Sequence, residues 1–399
     1  MKTDKYEASN LINEIGVAVD IGTTTIGVSC IDIYSKTVIT EFSFSNPQKV
    51  YGADVITRIK NCIDESSAEK NMSDMLLLRL NEELKNRLFE SYDRITQLCY
   101  SGNTTMLHIL RRLSVEGLSR APFSPVSLDY FECRVTHEDK SSDVTEMFLP
   151  CFSAFVGADI LAGAEYLGMG KDDEFDLLVD LGTNGEMLLL NKKCGYATST
   201  ACGPVFDYGV SGAVYGSECI HAIAGCVKRG LIDSTGLIKE PFFEKGIELD
   251  KGFVIKQEQV RRFQMAKAAI YAGIICLMHK ADIDYTNIGK VYISGGLGFY
   301  LDIRDAFITK MIPEDFRSKI TVSGNTSLEG AKKFLDSELS DVIGITDEAF
   351  DSHRDNEAEI IAKRNNMLSN YESIRNRTEA FELAEYEKFQ ELYIEALEF

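Results

Sequence analysis

The sequence predicts an α/β protein built from two similar halves. Three observations predict it. GVAVDIGTTTIGVS (16–29) and DLLVDLGTNGEMLL (176–189) each run an apolar stretch into Asp, then a Gly-Thr turn, then a second apolar stretch, 160 residues apart. Segments with helical spacing lie between and after them. A further glycine turn, in KVYISGGLGFY (290–300), follows another apolar strand late in the chain.

Each repeated segment reads as strand, tight turn, strand. Val17, Val19 and Ile21 alternate with Ala18 and Asp20; Leu177, Val179 and Leu181 alternate with Leu178 and Asp180. Residues 74–92 carry Leu76, Leu80, Leu84 and Leu88 on one helical face. Ile95–Tyr100 reads as a strand entering SGNTTMLHILRRL, where Asn103 or Thr104 caps a helix or lines a cleft. CFSAFVGADILAGAEYLG (151–168) suits one closely packed helix. STACGPVFDYGVSGAVYGSE (199–218) is a glycine-rich loop region. Residues 258–280 form the clearest helix, with Val260, Phe263, Ile270, Ile274 and Leu277 on one side. Residues 347–399 are charged and mostly helical, and their last stretch is amphipathic enough to dock on the body. The expected division is a terminal segment 1–14, a first half 15–172, a second half 173–345 and a helical extension 346–399.

The composition narrows the function. Hydrophobic residues make up 45% and charged ones 26% of the 399, as in a soluble globular protein. No apolar run reaches a membrane span, and the polar N-terminus has no secretory core, so a cytoplasmic protein without membrane partners is expected. A net charge of −20 repels nucleic acid. The ten cysteines contain no C-x-x-C pair, against a zinc or iron–sulfur motif. His108, His137, His221, His279 and His353 are isolated, so each reads as a packed or surface histidine before a metal ligand. The 82–94 and 354–364 charge runs read as solvated helix faces.

Chemistry is carried by three glycine motifs. In D-x-G-T-T-T (20–25), Gly22 lets the backbone approach a phosphate, and N–H and hydroxyl groups of Thr23, Thr24 and Thr25 can bind its oxygens. Asp20, beside those anions, makes sense with Mg²⁺ between them, through water. Alone, the segment reads equally well as a plain hairpin. In D-L-G-T-N-G-E (180–186), Asp180 repeats the logic, holding Mg²⁺ or orienting the attacking water, while Gly182, Thr183, Asn184 and Gly185 clasp the phosphates from the other side. In I-S-G-G-L-G (293–298), Gly295 and Gly296 let an adenine or ribose lie on the backbone. No G-x-x-x-x-G-K-[ST] is present, which excludes the usual P-loop ATPase.

The order phosphate loop, phosphate loop, adenosine turn resembles the actin/hexokinase/Hsp70 superfamily. That implies an actin-like ATPase fold of two ribonuclease H-like subdomains around a nucleotide cleft, binding ATP and Mg²⁺. SNPQKVYGADVITRI (45–59), SGNTTMLHIL (101–110), APFSPV (121–126), STACGP (199–204), QMAKAAIYAGI (264–274), GNTSLEGA (324–331) and FQELYIEALEF (389–399) narrow it further. From about residue 15 to 399 the chain resembles the C-terminal ATP-binding region of reductive activators of corrinoid enzymes. The resemblance implies an ATPase that drives Co(II) to Co(I) in a corrinoid protein or corrinoid methyltransferase. Full-length members carry an iron–sulfur cluster in an added domain. This chain has no cysteine cluster, so no cluster is expected in it, and either a separate redox donor protein supplies the electron or the activity is not redox. A homodimer is compatible with the resemblance. The chain departs from the family pattern at Asp207 and in VSGAVYGSE (210–218), beside the partner or the nucleotide.

Other readings share this fold. Asp159, a carboxylate on an apolar helix, is expected to face the cleft and touch Mg²⁺ or the attacking water, because burying it alone is costly. It could equally be the base of a small-molecule kinase. A nucleotide-dependent scaffold without turnover is the third class. Asp54 and Arg58, spaced i, i+4, read as a helix-surface pair.

Overall fold

The computed structural model describes residues 14–136, 143–201, 216–249, 254–298, 301–336 and 353–399. His137, Asp207 and most of the 199–218 glycine-rich region lie outside them.

Two six-stranded sheets organise the chain. The first contains β1 (Ile15–Ile21), β2 (Thr25–Asp32), β3 (Val38–Ser45), β4 (Ile95–Gly102), β5 (Phe131–Val135) and β6 (Val144–Phe148), in the order β3-β2-β1-β4-β6-β5. The second contains β7 (Phe175–Leu181), β8 (Asn184–Leu190) and β9 (Gly195–Ala201). A short ladder of β10 (Ile247–Glu248) with β11 (Val254–Ile255) lies outside it. The second sheet is completed by β12 (Ile288–Ser294), β13 (Ile320–Val322) and β14 (Thr378–Ala380), in the order β13-β12-β7-β8-β9-β14.

Five strands repeat the same topology. β1 pairs antiparallel with β2, β2 with β3, and β1 lies parallel to β4, which lies parallel to β6. β7, β8, β9, β12 and β13 repeat this pattern strand for strand. β1 and β7 also share one burial pattern: every residue is buried except Asp20 and Asp180. The apparent alternation in sequence is therefore two-sided burial, because segments pack on both faces of each central strand. The predicted doubled α/β architecture is present.

Helices cover the sheets. Gln257–Lys280 buries Val260, Phe263, Ile270, Ile274 and Leu277 completely, each contributing about 1.5–3 kcal/mol by leaving water. The Ala68–Leu88 helix buries Leu76, Leu80, Leu84 and Leu88, the face expected from their spacing. The single helix expected over 151–168 is shorter. It begins at Ala158 and ends at Gly168 in the left-handed conformation. The Ser153 hydroxyl accepts the N–H groups of Phe155 and Val156, which holds 151–157 in a turn instead.

The halves interlock through later segments. The Thr326–Asp336 helix follows the second sheet but packs on the Ala158–Leu167 helix and on β1 and β4. A Cβ on Gly330 would sit 2.4 Å from the Ala162 carbonyl oxygen, so glycine permits this approach. The C-terminal extension is less uniformly helical than expected. Its His353–Asn376 helix places Met367, Tyr371 and Ile374 in the first core, whereas β14 joins β9 as an edge strand of the second sheet. The final stretch packs on the Gln257–Lys280 helix. Phe399 stacks on Phe263 at 6.0 Å, Gln264 Nε2 donates to Leu397 O at 2.6 Å, and Lys267 Nζ donates to Glu398 O. No described helix is long and apolar enough to cross a membrane.

Candidate functional site

The two Gly-Thr loops meet. Thr24 Oγ1 and Thr183 Oγ1 lie 2.8 Å apart, joining the β1–β2 turn to the β7–β8 turn. Gly22, Thr23 and Thr24 form the first turn, while Thr25 opens β2 and is exposed. Gly182 and Thr183 form the second; Asn184 and Gly185 begin β8, where Gly185 is buried opposite Leu181.

Each aspartate is held by donors from elsewhere in the chain. Asn325 Nδ2 donates to Asp20 Oδ2 and Ser327 Oγ to Asp20 Oδ1, both at 2.7 Å. Ser294 Oγ, at the end of β12, donates to Asp180 Oδ2 at 2.7 Å. Gly295 follows directly with φ 86°, and a Cβ there would lie 2.5 Å from Asp180 Oδ1. Only glycine fits this position without displacing the carboxylate. Gly295 is thus buried against Asp180, and Gly296 beside it is exposed in a one-turn helix, Gly295–Gly298.

A second acidic pair completes the cleft. Asp159 sits near the start of its helix and hydrogen-bonds to Glu186. Glu186 is buried; its Oε1 accepts from Asn103 Nδ2 at 3.0 Å and its Oε2 from the Gly157 N–H at 3.2 Å. Asn103 also caps its helix, its Oδ1 accepting the Thr105 N–H at 3.0 Å, as its N-cap reading expects. Sequence reasoning missed Glu186, Ser294, Asn325 and Ser327 as site residues. Glu186 closes the D-L-G-T-N-G-E motif, and its position opposite Asp180 across the β7–β8 hairpin was the available signal.

These carboxylates share one electrostatic problem. Burial pushes the Asp180 carboxyl up to about 7; the Ser294 bond opposes this, and the charges of Asp159 and Asp20 add to it. Burial raises Asp20 too, against the Ser327 and Asn325 bonds. Burial and the facing Glu186 hold Asp159 well above the usual carboxylate range. Burial lifts Glu186 to about 7 despite the hydrogen bonds it accepts. No Lys or Arg among the described residues forms an ion pair with any of the four. A divalent cation fits this donor set, since it would supply the missing positive charge and favour the ionised carboxylates. Among the described residues no three Asp, Glu, His or Cys side chains are grouped to hold a metal alone. Water and ligand oxygens would have to complete such a shell.

The remaining candidates lie elsewhere. His108 is buried with Nδ1 2.8 Å from Thr104 O, and His221 Nδ1 lies 2.7 Å from Asp305 Oδ2, so both serve structural contacts. Burial pushes the Cys30, Cys151 and Cys276 thiols up to about 12, consistent with apolar packing. The expected Asp54–Arg58 surface pair does not form. Asp54 caps its helix by accepting the Thr57 N–H at 2.8 Å, and Arg58 turns inward with no exposed surface. Helix capping outweighs a solvent-exposed ion pair.

Comparison with known proteins places this architecture. The family model of the RACo middle region matches residues 15–172, and that of the C-terminal domain of RACo, the ASKHA domain, matches 174–213 and 209–345. The chain is 29% identical over 389 residues to the corrinoid activation enzyme RamQ of Eubacterium limosum, covering 80% of this chain and 64% of RamQ. It thus spans less than two thirds of that relative. It is 25% identical over 402 residues to the [Co(II) methylated amine-specific corrinoid protein] reductase of Methanosarcina barkeri, covering 83% of this chain and 72% of that one. Among solved structures, a reductive activator for corrinoid, iron–sulfur protein superposes with a TM-score of 0.80 at 25% identity, covering 98% of this chain and 67% of that one. The chain therefore belongs to the RACo family, by its middle region and its ASKHA domain.

Proposed function

We propose that this chain binds and hydrolyses Mg·ATP in the cleft and couples that cycle to reductive activation, Co(II) to Co(I), of a corrinoid protein or corrinoid methyltransferase. The observation that carries the proposal is the convergence of Asp20, Asp180, Asp159 and Glu186 beneath two touching Gly-Thr loops. Family membership and the activities named for the relatives support the corrinoid partner. The electron comes from a redox donor outside these residues.

The residues divide the work as follows. Thr23, Thr24, Thr183 and Asn184 bind phosphate oxygens through N–H and hydroxyl groups, with Gly22, Gly182 and Gly185 allowing close approach. Gly295 and Gly296 support the adenosine. Asp20 and Asp180 hold the cation, which neutralises phosphate charge when bound. The Asp159–Glu186 pair orients the attacking water and accepts its proton. No specific observation favours a small-molecule kinase with Asp159 as its base over hydrolysis.

The test is hydrolysis of ATP by the chain alone, then with a Co(II) corrinoid protein and a chemical reductant. Stimulated phosphate release together with the Co(I) absorbance supports the proposal. Turnover that transfers phosphate to a sugar or acid, with no Co(I) signal, overturns it.

A further inference from the structure

We infer that Asn46 and Arg58 form a clamp that shapes the first loop into an anion-binding turn, making both of them positioning residues for nucleotide phosphates. This rests on the nucleotide reading above and assigns a task to residues outside the Gly-Thr loops.

Three consecutive carbonyls of that loop are held by one segment. Gly22 O accepts from Asn46 Nδ2 at 2.9 Å, Thr23 O from Arg58 Nη2 at 2.6 Å, and Thr24 O from the Asn46 N–H at 2.8 Å. In a trans peptide the carbonyl and the following N–H point in opposite directions. Fixing these carbonyls therefore turns the N–H groups of Thr23, Thr24 and Thr25 away from the clamp. The Thr24 side chain meets Thr183 of the second loop, so the cleft lies on the side away from the clamp. Successive N–H groups presented to one side are what a phosphate group needs.

The clamp is braced into the core. Arg58, Gln48 and Asn46 have no exposed surface. Arg58 Nε donates to Gly52 O at 3.0 Å and Nη1 to Gln48 Oε1 at 3.4 Å and Met106 Sδ at 3.0 Å. Gln48 Nε2 donates to Met72 O at 3.1 Å, and Asn46 Oδ1 accepts the Gln48 N–H at 2.9 Å. Burying a guanidinium is costly. Its position one peptide unit behind the loop N–H groups adds positive charge where anionic oxygens would bind. Asn, Gln and Arg at 46, 48 and 58 are thus one hydrogen-bonded unit, although Arg58 reads as a helix-surface residue in the sequence.

The experiment compares the full chain with R58K and N46D. Binding of Mg·ATP and Mg·ADP is measured by calorimetry, and binding of adenosine by ligand-detected NMR. Circular dichroism and thermal melting establish that each variant is folded. Both variants are expected to weaken ATP and ADP by about tenfold to a hundredfold, the loss that removing one or two hydrogen bonds behind the loop brings. Adenosine, which carries no phosphate, is expected to change by less than about twofold on the same scale. N46D keeps the side-chain volume and the bond to Gln48 N while losing the donor to Gly22 O, so it decides the matter where R58K does not fold. Equal losses for adenosine and ATP would assign the residues a merely structural role and overturn the clamp, as would unchanged ATP binding. A wild-type chain that binds neither ATP nor ADP overturns the nucleotide reading itself.

Discussion

Asp180→Asn separates the stability of the cleft from its chemistry. Burial lifts the Asp180 carboxyl from an ordinary 3.8 to about 7. Between those values the folded state keeps a proton that the unfolded chain has released. Stability therefore falls as pH rises through that window, by about 1.4 kcal/mol per pH unit for one group. Above about 7 the full penalty stands at about 4 kcal/mol, reduced to about 2–4 kcal/mol by the solvent-facing edge of the half-buried carboxylate. Asparagine cannot ionise and still accepts the Ser294 hydroxyl through its carbonyl oxygen. In urea unfolding followed by circular dichroism with EDTA present, D180N is expected to match wild type near pH 4 and to exceed it by about 2–4 kcal/mol at pH 8. Lys267, lowered to about 7 chiefly by burial, acts in the opposite direction above that pH, but it is common to both proteins and cancels in the difference. Mg·ADP is expected to restore wild type preferentially, since binding to the folded state adds stability by mass action. The stabilised variant is expected to have lost hydrolysis. A difference between the proteins that stays constant from pH 4 to pH 8 would refute the argument, because burial would then not be what perturbs this carboxyl.

Three further outcomes follow from named contacts. Gly295→Ala must hold alanine at φ 86° with its Cβ 2.5 Å from Asp180 Oδ1, so denaturation is expected to show a loss of about 2–4 kcal/mol, with hydrolysis reduced as the carboxylate shifts. Glu186→Gln turns an acceptor into a donor facing Asn103 or Gly157 and removes the proton acceptor, so turnover is expected to fall about a hundredfold or more in steady-state phosphate release while Mg·ADP affinity is retained. Lys267→Ala removes the donor to Glu398 O and the cation over the Phe399 ring, so hydrogen exchange is expected to rise across 389–399 and stay unchanged in β7.

Much of the fold was legible because its signals are local. Asp, Gly-Thr and flanking apolar runs specify each hairpin within about fourteen residues, and the helix at 257–280 declares its face through periodic spacing. The late glycine turn was legible for the same reason, since φ 86° at Gly295 is a requirement that the residue type advertises. What failed locally was the 151–168 helix, where Ser153 competes for backbone N–H groups. What failed globally were the partners of the carboxylates. Asn325 and Ser327 lie more than three hundred residues from Asp20, and no periodicity links them. The motif GNTSLEGA (324–331) was visible as a family feature, but its task depends on the Thr326–Asp336 helix leaving the second sheet to pack on the first.

That crossing has a consequence for how nucleotide state could reach a partner. Asp20 belongs to the first sheet but is held by Asn325 and Ser327, which follow β13 of the second sheet. Glu186 belongs to the second sheet but is held by Asn103 and Gly157, which follow strands of the first. Each half therefore supplies an acid and the donors for the other half's acid. A relative shift of the sheets would have to lengthen the hydrogen bonds from Asn103 and Gly157 to Glu186, whereas Ser327 stays with Asp20 because its helix packs on β1 and β4, and a bond to an ionised group contributes about 1.5–3 kcal/mol. Two or more such bonds breaking at once amount to several kcal/mol, enough to move a two-state equilibrium from one form to the other. The cleft thus has the energetic means to favour one arrangement of the halves when its carboxylates are charged and cation-bound, and another when they are not. The C-terminal extension, seated on the first core through Tyr371 and on the second sheet through β14, spans both halves and would be displaced with them.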